Sequence, residues 1–167
     1  MSRIPLQSSL LDDAEVWRPH VTVATVVPRD GRFLLVEENV RGRIVLNQPA
    51  GHLDPDESLQ AAAVRETLEE TGWRVALTCL LGVQQWRSPS GRHFVRFAFA
   101  AEPLEHDPAR PLDEGIVRAL WLGRDEIAAA GPRLRSPMVL ANVDDWLAGR
   151  RLPLDAIRWL DAPADAN

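Results

Sequence analysis

Between Gly51 and Gly72 the chain runs GHLDPDESLQAAAVRETLEETG, and four of its charged residues, Arg65, Glu66, Glu69 and Glu70, are spaced for chemistry. Asp54, Pro55 and Asp56 favour a turn, Ser58 suits a helix N-cap and Gly72 suits the residue that closes a helix. A helix is therefore predicted over 58–70, between two loops. At about 100° per residue, Glu69 lies about 60° to one side of Glu66 and Glu70 about 40° to the other, so the three carboxylates share a face. Ala61, Val64 and Leu68 fall about 160–220° away, which predicts an apolar back turned to the core. Like charges this close repel by at least the ~0.2–0.5 kcal/mol of an ordinary i,i+4 pair. A hard divalent cation would offset that repulsion, because Mg²⁺ prefers carboxylate oxygens and completes its octahedron with water and substrate phosphates. Arg65 could instead neutralise or orient one carboxylate. A solvated acidic face is the bland alternative for three acids taken alone.

The wider spacing narrows the choice. Gly51, five residues, Glu57, seven residues, Arg65-Glu66, then Glu69-Glu70, one residue and Gly72 match the box of the Nudix hydrolases, which this chain resembles. Thr67 departs from it, standing where the family prefers an aliphatic residue, a mild packing change expected away from the acidic face. Trp73 fills the final apolar slot of the box, which spans 51–73. Four further stretches extend the resemblance to Nudix phosphatases: 18–24 (RPHVTVA), 47–53 (NQPAGHL), Arg96-Phe97 and Arg135-Ser136-Pro137. The resemblance implies an α/β fold, a Nudix α/β/α sandwich with a mixed β-sheet. It also implies Mg²⁺-dependent hydrolysis of phosphoanhydride bonds in nucleoside tri- and diphosphates and related small pyrophosphates, with Mn²⁺ a substitute metal. Glu66, Glu69 and Glu70 would bind metal or activate water, with Glu66 favoured as the base, and the backbone carbonyl of Ala50 would complete the metal site. Arg65 would orient a glutamate, Glu57 would tie loop to helix, and Asp113 or Glu114 would add a further acid. Trp17, Trp86 and Arg96 are weaker candidates for substrate contact. Leu46 stands where a substrate-stacking Trp is expected in the similar phosphatases, so it too is a candidate contact and an aromatic platform would be missing. Another diphosphate derivative (ADP-ribose, a dinucleotide or a nucleotide sugar) and a non-catalytic nucleotide sensor stay open as alternatives.

The elements that must position these residues follow from patterning. Strands are predicted over 20–27, 32–38, 43–47, 74–86, 93–102 and 117–122, with turns at Pro28-Arg29-Asp30-Gly31 and Ser88-Pro89-Ser90-Gly91. Helices are predicted over 137–147 and 125–130 as well, and Pro103, Pro108 and Pro111 predict a loop over 104–113. At 167 residues, 46% apolar and 26% charged, the chain is expected to form one globular domain over 16–160, with a short extension 1–15 and a tail 161–167. All nineteen Lys/Arg residues are Arg, which excludes a Schiff-base or P-loop lysine. A net charge of −5 argues against nonspecific duplex binding and leaves a small nucleotide or pyrophosphate as the expected partner. Cys79 is the only cysteine, so an intramolecular disulfide is excluded. No apolar run approaches the ~20 residues of a membrane helix, and the first fifteen residues lack an apolar export core. A cytoplasmic monomer or homodimer is expected.

Overall fold

The computed structural model describes residues 16–160. The expected extension and tail lie outside the described residues. The chain opens with β1 (His20–Val26), then a hairpin of β2 (Pro28–Arg29) and β3 (Arg32–Val40). Asp30 and Gly31 both have positive φ at its tip, the backbone that a tight turn between right-twisted strands demands. Next come β4 (Arg43–Asn47), β5 (Ala50–His52), α1 (Leu59–Thr71), β6 (Trp73–Arg87), β7 (His93–His106), β8 (Ile116–Gly123), α2 (Arg124–Ala130) and α3 (Met138–Leu147).

Two sheets result. The first has the order β5-β1-β7-β6, and its β1–β7 pair is parallel while the other pairs are antiparallel, so it is mixed as expected. The second joins β2, β3 and β4, with β8 on the free side of β3, all antiparallel. Alternation along β7 gives the first sheet two apolar faces. Phe99, with Val23 and Leu80, packs under Ala62 and Ala63 of α1. Ala98 and Ala100, with Cys79 and Leu81, pack under Ile127 of α2 and Val139 and Val143 of α3. Helices therefore cover both faces, which is the expected sandwich. No helix among the described residues is long and apolar enough to cross a membrane.

Three sequence expectations need correction. Strand β7 continues to His106, where a loop from 104 was expected. Its proline is tolerated because Pro103 pairs with Val75 at a register shift, where a missing N–H costs no regular ladder bond. Strand β5 was expected as loop, because three residues containing a Gly carry no period-2 signal. The inward face of α1 also differs from the expected apolar back. Ala61 is exposed, Val64 and Leu68 are half-buried, and the buried stripe is Ala62, Ala63, Glu66, Thr67, Glu70 and Thr71. Small side chains let the helix lie close to β1. There the hydroxyls of Thr67 and Thr25 meet at 2.6 Å, and Thr67 also donates to the Ala63 carbonyl. Thr67 thus belongs to the buried stripe beside the glutamates, and a threonine on the neighbouring strand answers the missing aliphatic.

Candidate active site

Helix α1 presents its carboxylates because both of its ends are fixed. Ser58 accepts a hydrogen bond from Ala61 N at 3.1 Å, and Gly72 closes the helix at φ 70° with its N–H on the Leu68 carbonyl. Glu66 is 9% exposed and reaches across to β5, where its carboxylate occupies the space a side chain at Gly51 would fill. A Cβ at Gly51 would stand 2.0 Å from both the carboxyl carbon and Oε1 of Glu66. The first glycine of the box is thus required by the first glutamate.

Arg65 gathers the rest. Its Nε and Nη2 donate to the two Glu57 oxygens at 3.0 and 2.5 Å, and its Nη1 donates to Glu66 Oε1 and Glu69 Oε2, both at 2.9 Å. Nη2 also reaches the His52 carbonyl at 3.2 Å. The forked guanidinium satisfies three carboxylates at once, which a lysine's point charge cannot do. Glu57 in turn accepts from Asp54 N at 2.9 Å, tying the loop to the helix, and its hydrogen bond with Arg65 holds its carboxyl below the usual range.

The two buried glutamates of α1, Glu66 and Glu70, shift the other way. Burial pushes the Glu66 carboxyl up, against the pull of Arg65, and Glu69 and Asp113 push it further. Glu70 is 8% exposed. Burial raises it to about 9, against a hydrogen bond from Ala50 N at 2.9 Å, with Glu38, Glu66 and Asp113 adding to the rise. Asp113 arrives on the loop before β8, anchored by its N–H on the Glu69 carbonyl at 3.1 Å. Ligand oxygens of Glu66, Glu69 and Asp113 lie within 4.8 Å of one another. An all-oxygen donor set of mutually repelling carboxylates, running from the buried Glu66 to the exposed Asp113, fits a hard divalent cation.

Beside this cluster opens a cleft of about 550 Å³, bordered by Ala50 and Gly51. Trp86 and Phe94 form one side, with rings 5.5 Å apart. Its charge is opposite to that of the cluster: five arginines (41, 43, 92, 96 and 135) line it against a single acid, Glu38. The site therefore combines an acidic cation seat with a cationic cleft, the pairing that a polyphosphate bridged by a metal ion requires.

A family model for the NUDIX domain matches residues 16–143. The chain belongs to the Nudix family. It is 42% identical over 142 residues to the phosphatase NudJ of Escherichia coli, covering 85% of this chain and 92% of that one. A Nudix hydrolase from Nitrosomonas europaea superposes with a TM-score of 0.85 at 46% identity, covering 87% of this chain and all of that one. A UDP-X diphosphatase matches with a TM-score of 0.67, covering 85% of this chain and 70% of the other; at 17% identity it shares the fold alone. This Nudix protein is accordingly a hydrolase.

The Nudix frame sorts the sequence candidates. Arg65, Glu66, Glu69, Glu70, the Ala50 backbone and Asp113 come together. Glu114 is exposed and outside the group of carboxylates that could share an ion. Trp86 and Arg96 line the cleft, whereas Trp17 is 65% exposed and packs edge-on against His93. Leu46 is a correction: it is 2% exposed and lies in the core with Phe33, Leu35 and Ile127. The pleat explains why, because Asn47 lines the cleft and the side chain one residue earlier must leave the strand on the other side. Glu38, Arg43, Arg92 and Ser136 also line the cleft and were not singled out individually as contacts. Ser136 lies within the family-like stretch 135–137, whereas nothing in the sequence pointed to Glu38, Arg43 or Arg92.

Proposed function

We propose that this Nudix hydrolase cleaves phosphoanhydride bonds of nucleoside tri- and diphosphates and related small pyrophosphates, using Mg²⁺ or Mn²⁺. The observation that carries this reading is the gathering of Glu66, Glu69 and Asp113 within 4.8 Å of one another, the two glutamates held by Arg65, next to the Ala50-Gly51 segment that lines an arginine-rich cleft. The name of the E. coli relative, a phosphatase, supports it. Glu66, Glu69 and Asp113 would hold the cation, with Glu70 and the Ala50 carbonyl as further oxygen donors. A cation bound there supplies Lewis-acid polarisation of the phosphate and neutralises charge as the P–O bond breaks.

The chain's own groups do the rest. Arg65 is a positioning residue that fixes Oε1 of Glu66, leaving the other carboxylate oxygen to take the proton of the attacking water. Glu57 holds Arg65 in register. Gly51 lets the Glu66 carboxylate approach the β5 backbone, so the proton acceptor is set on a strand and a capped helix. Arg96, in the cleft, meets the phosphates. The test is incubation with Mg²⁺ and a panel of nucleoside triphosphates, nucleoside diphosphates, nucleotide sugars and dinucleotides, with phosphate and pyrophosphate assayed separately. Release from tri- and diphosphates is expected, and turnover confined to nucleotide sugars or dinucleotides would refute this substrate class.

A further inference from the structure

Arg96 is 6% exposed, yet its hydrogen bonds to Thr22 Oγ1 and Asn47 Oδ1 are both long, at 3.4 Å. No carboxylate among the described residues lies within 4.0 Å of it. Burial lowers it only to about 10, so it stays cationic at neutral pH. A buried, unpaired guanidinium is costly in a folded chain unless an anion meets it.

Next to it the backbone brings a second set of donors. Arg135 N donates to the Leu46 carbonyl at 2.8 Å and Leu134 bridges Leu46, so residues 134–136 run alongside the end of β4, whose Asn47 touches Arg96. Ser136, 5% exposed, lines the cleft with an Oγ that has no hydrogen-bond partner. It stands just ahead of α3, a ten-residue helix whose N-cap, Pro137, supplies no capping side chain. The positive end of that helix and Met138, its first residue, are on the same cleft wall. Glu38 is the one acid lining this cleft, and it is already engaged by Asn47 Nδ2 at 2.8 Å and faces Arg135 at 3.7 Å.

We propose that Arg96, Ser136 and the N-terminus of α3 form a second anion subsite, which takes a phosphate of the substrate remote from the bond being broken. The proposal rests on the hydrolase reading above and sharpens its substrate class. Substrates with a further phosphate, such as nucleoside triphosphates, are favoured over diphosphates that end in a neutral group, such as nucleotide sugars. The metal seat serves both classes equally, and only the triphosphate fills the far wall.

The experiment has two arms. Metal-free, full-length protein is titrated calorimetrically with inorganic phosphate. Binding is expected, Ser136→Ala should weaken it about tenfold, the scale of one hydrogen bond to a charged group, and Arg96→Gln should abolish it. If Arg96→Gln does not fold, Ser136→Ala decides alone, because that hydroxyl bonds nothing in the protein. In the second arm, with Mg²⁺, Ser136→Ala should raise the ratio of KM for a nucleoside triphosphate to KM for a nucleotide sugar about tenfold. No phosphate binding by the wild type, or binding and a KM ratio both indifferent to Ser136→Ala, overturns the subsite. Phosphate binding that depends on Ser136 in a protein that hydrolyses nothing would instead uphold the subsite and refute the hydrolase reading.

Discussion

Gly51→Ala changes one hydrogen to a methyl group and should disable the enzyme without touching a charged residue. The new Cβ would lie 2.0 Å from the Glu66 carboxyl carbon, 2.0 Å from Oε1 and 2.2 Å from Oε2, where ordinary contact begins at 3.4 Å. Glu66 must then retreat by at least about 1.4 Å, and a displacement of that order at a reacting group costs roughly 10²-fold in rate. Retreat also strains the Arg65 contact with Glu66, so the variant should lose the ~1–3 kcal/mol typical of overpacking, or about 2–12 °C in Tm for a domain of this size. Two companions isolate the cause. Gly82→Ala, at a strand position with nothing within 4 Å of its Cβ, should keep rate and Tm. The double variant Gly51→Ala/Glu66→Ala removes the obstructing carboxylate and should regain thermal stability while staying inactive. Steady-state kinetics with Mg²⁺ and thermal melts of all three decide the matter. A Gly51→Ala protein with wild-type kcat/KM would refute the placement of Glu66 against β5.

Arg65→Lys should lower kcat at least tenfold with little change in Tm, because a single ammonium cannot hold Glu57, Glu66 and Glu69 together; near-wild-type turnover would make Arg65 a surface charge. Leu46→Trp should lower Tm by overpacking the core, at ~1–3 kcal/mol, and leave KM for every base unchanged, whereas a lower KM at constant Tm would return position 46 to the substrate. Glu37 accepts hydrogen bonds from Arg118 and Arg133, both at 2.7 Å, and the Arg118 bond foremost holds its carboxyl below the usual range. The folded protein therefore takes up this proton at lower pH than the unfolded chain. The contribution is complete above the ordinary carboxylate pKa of ~4.3 and is lost as pH falls below it. Glu37→Gln should flatten the decline of Tm between roughly pH 5 and pH 3, and an acid limb identical to wild type would show that this pairing stabilises nothing.

The chemistry was more legible than the packing. Seven box positions fixed by spacing pointed to the acidic cluster, because they all lie in one short continuous segment, from β5 through one loop to the end of α1. The burial of α1 was misjudged for a physical reason: wheel geometry gives angles between side chains, and which angle faces inward depends on the neighbouring strand. Gly51 leaves room for Glu66, and Thr25 partners Thr67, so polar groups are buried where an apolar stripe was expected. Leu46 was misassigned because analogy of position was weighed above alternation with Asn47. The cationic cleft was least legible, since Arg43, Arg96 and Arg135 lie on separate segments that only the pairing of β4 with the 134–136 stretch and the β1–β7 register bring together.

The most direct measurement is the rate of phosphate or pyrophosphate release from a nucleoside triphosphate as free Mg²⁺ is removed and restored. Protein stripped with EDTA should be inactive, Mg²⁺ or Mn²⁺ should restore turnover, and Glu66→Gln should stay at least about 10²-fold below wild type at saturating metal. Full turnover in excess EDTA, or a Glu66→Gln protein as fast as wild type, would contradict the assignment of these carboxylates to metal-assisted hydrolysis.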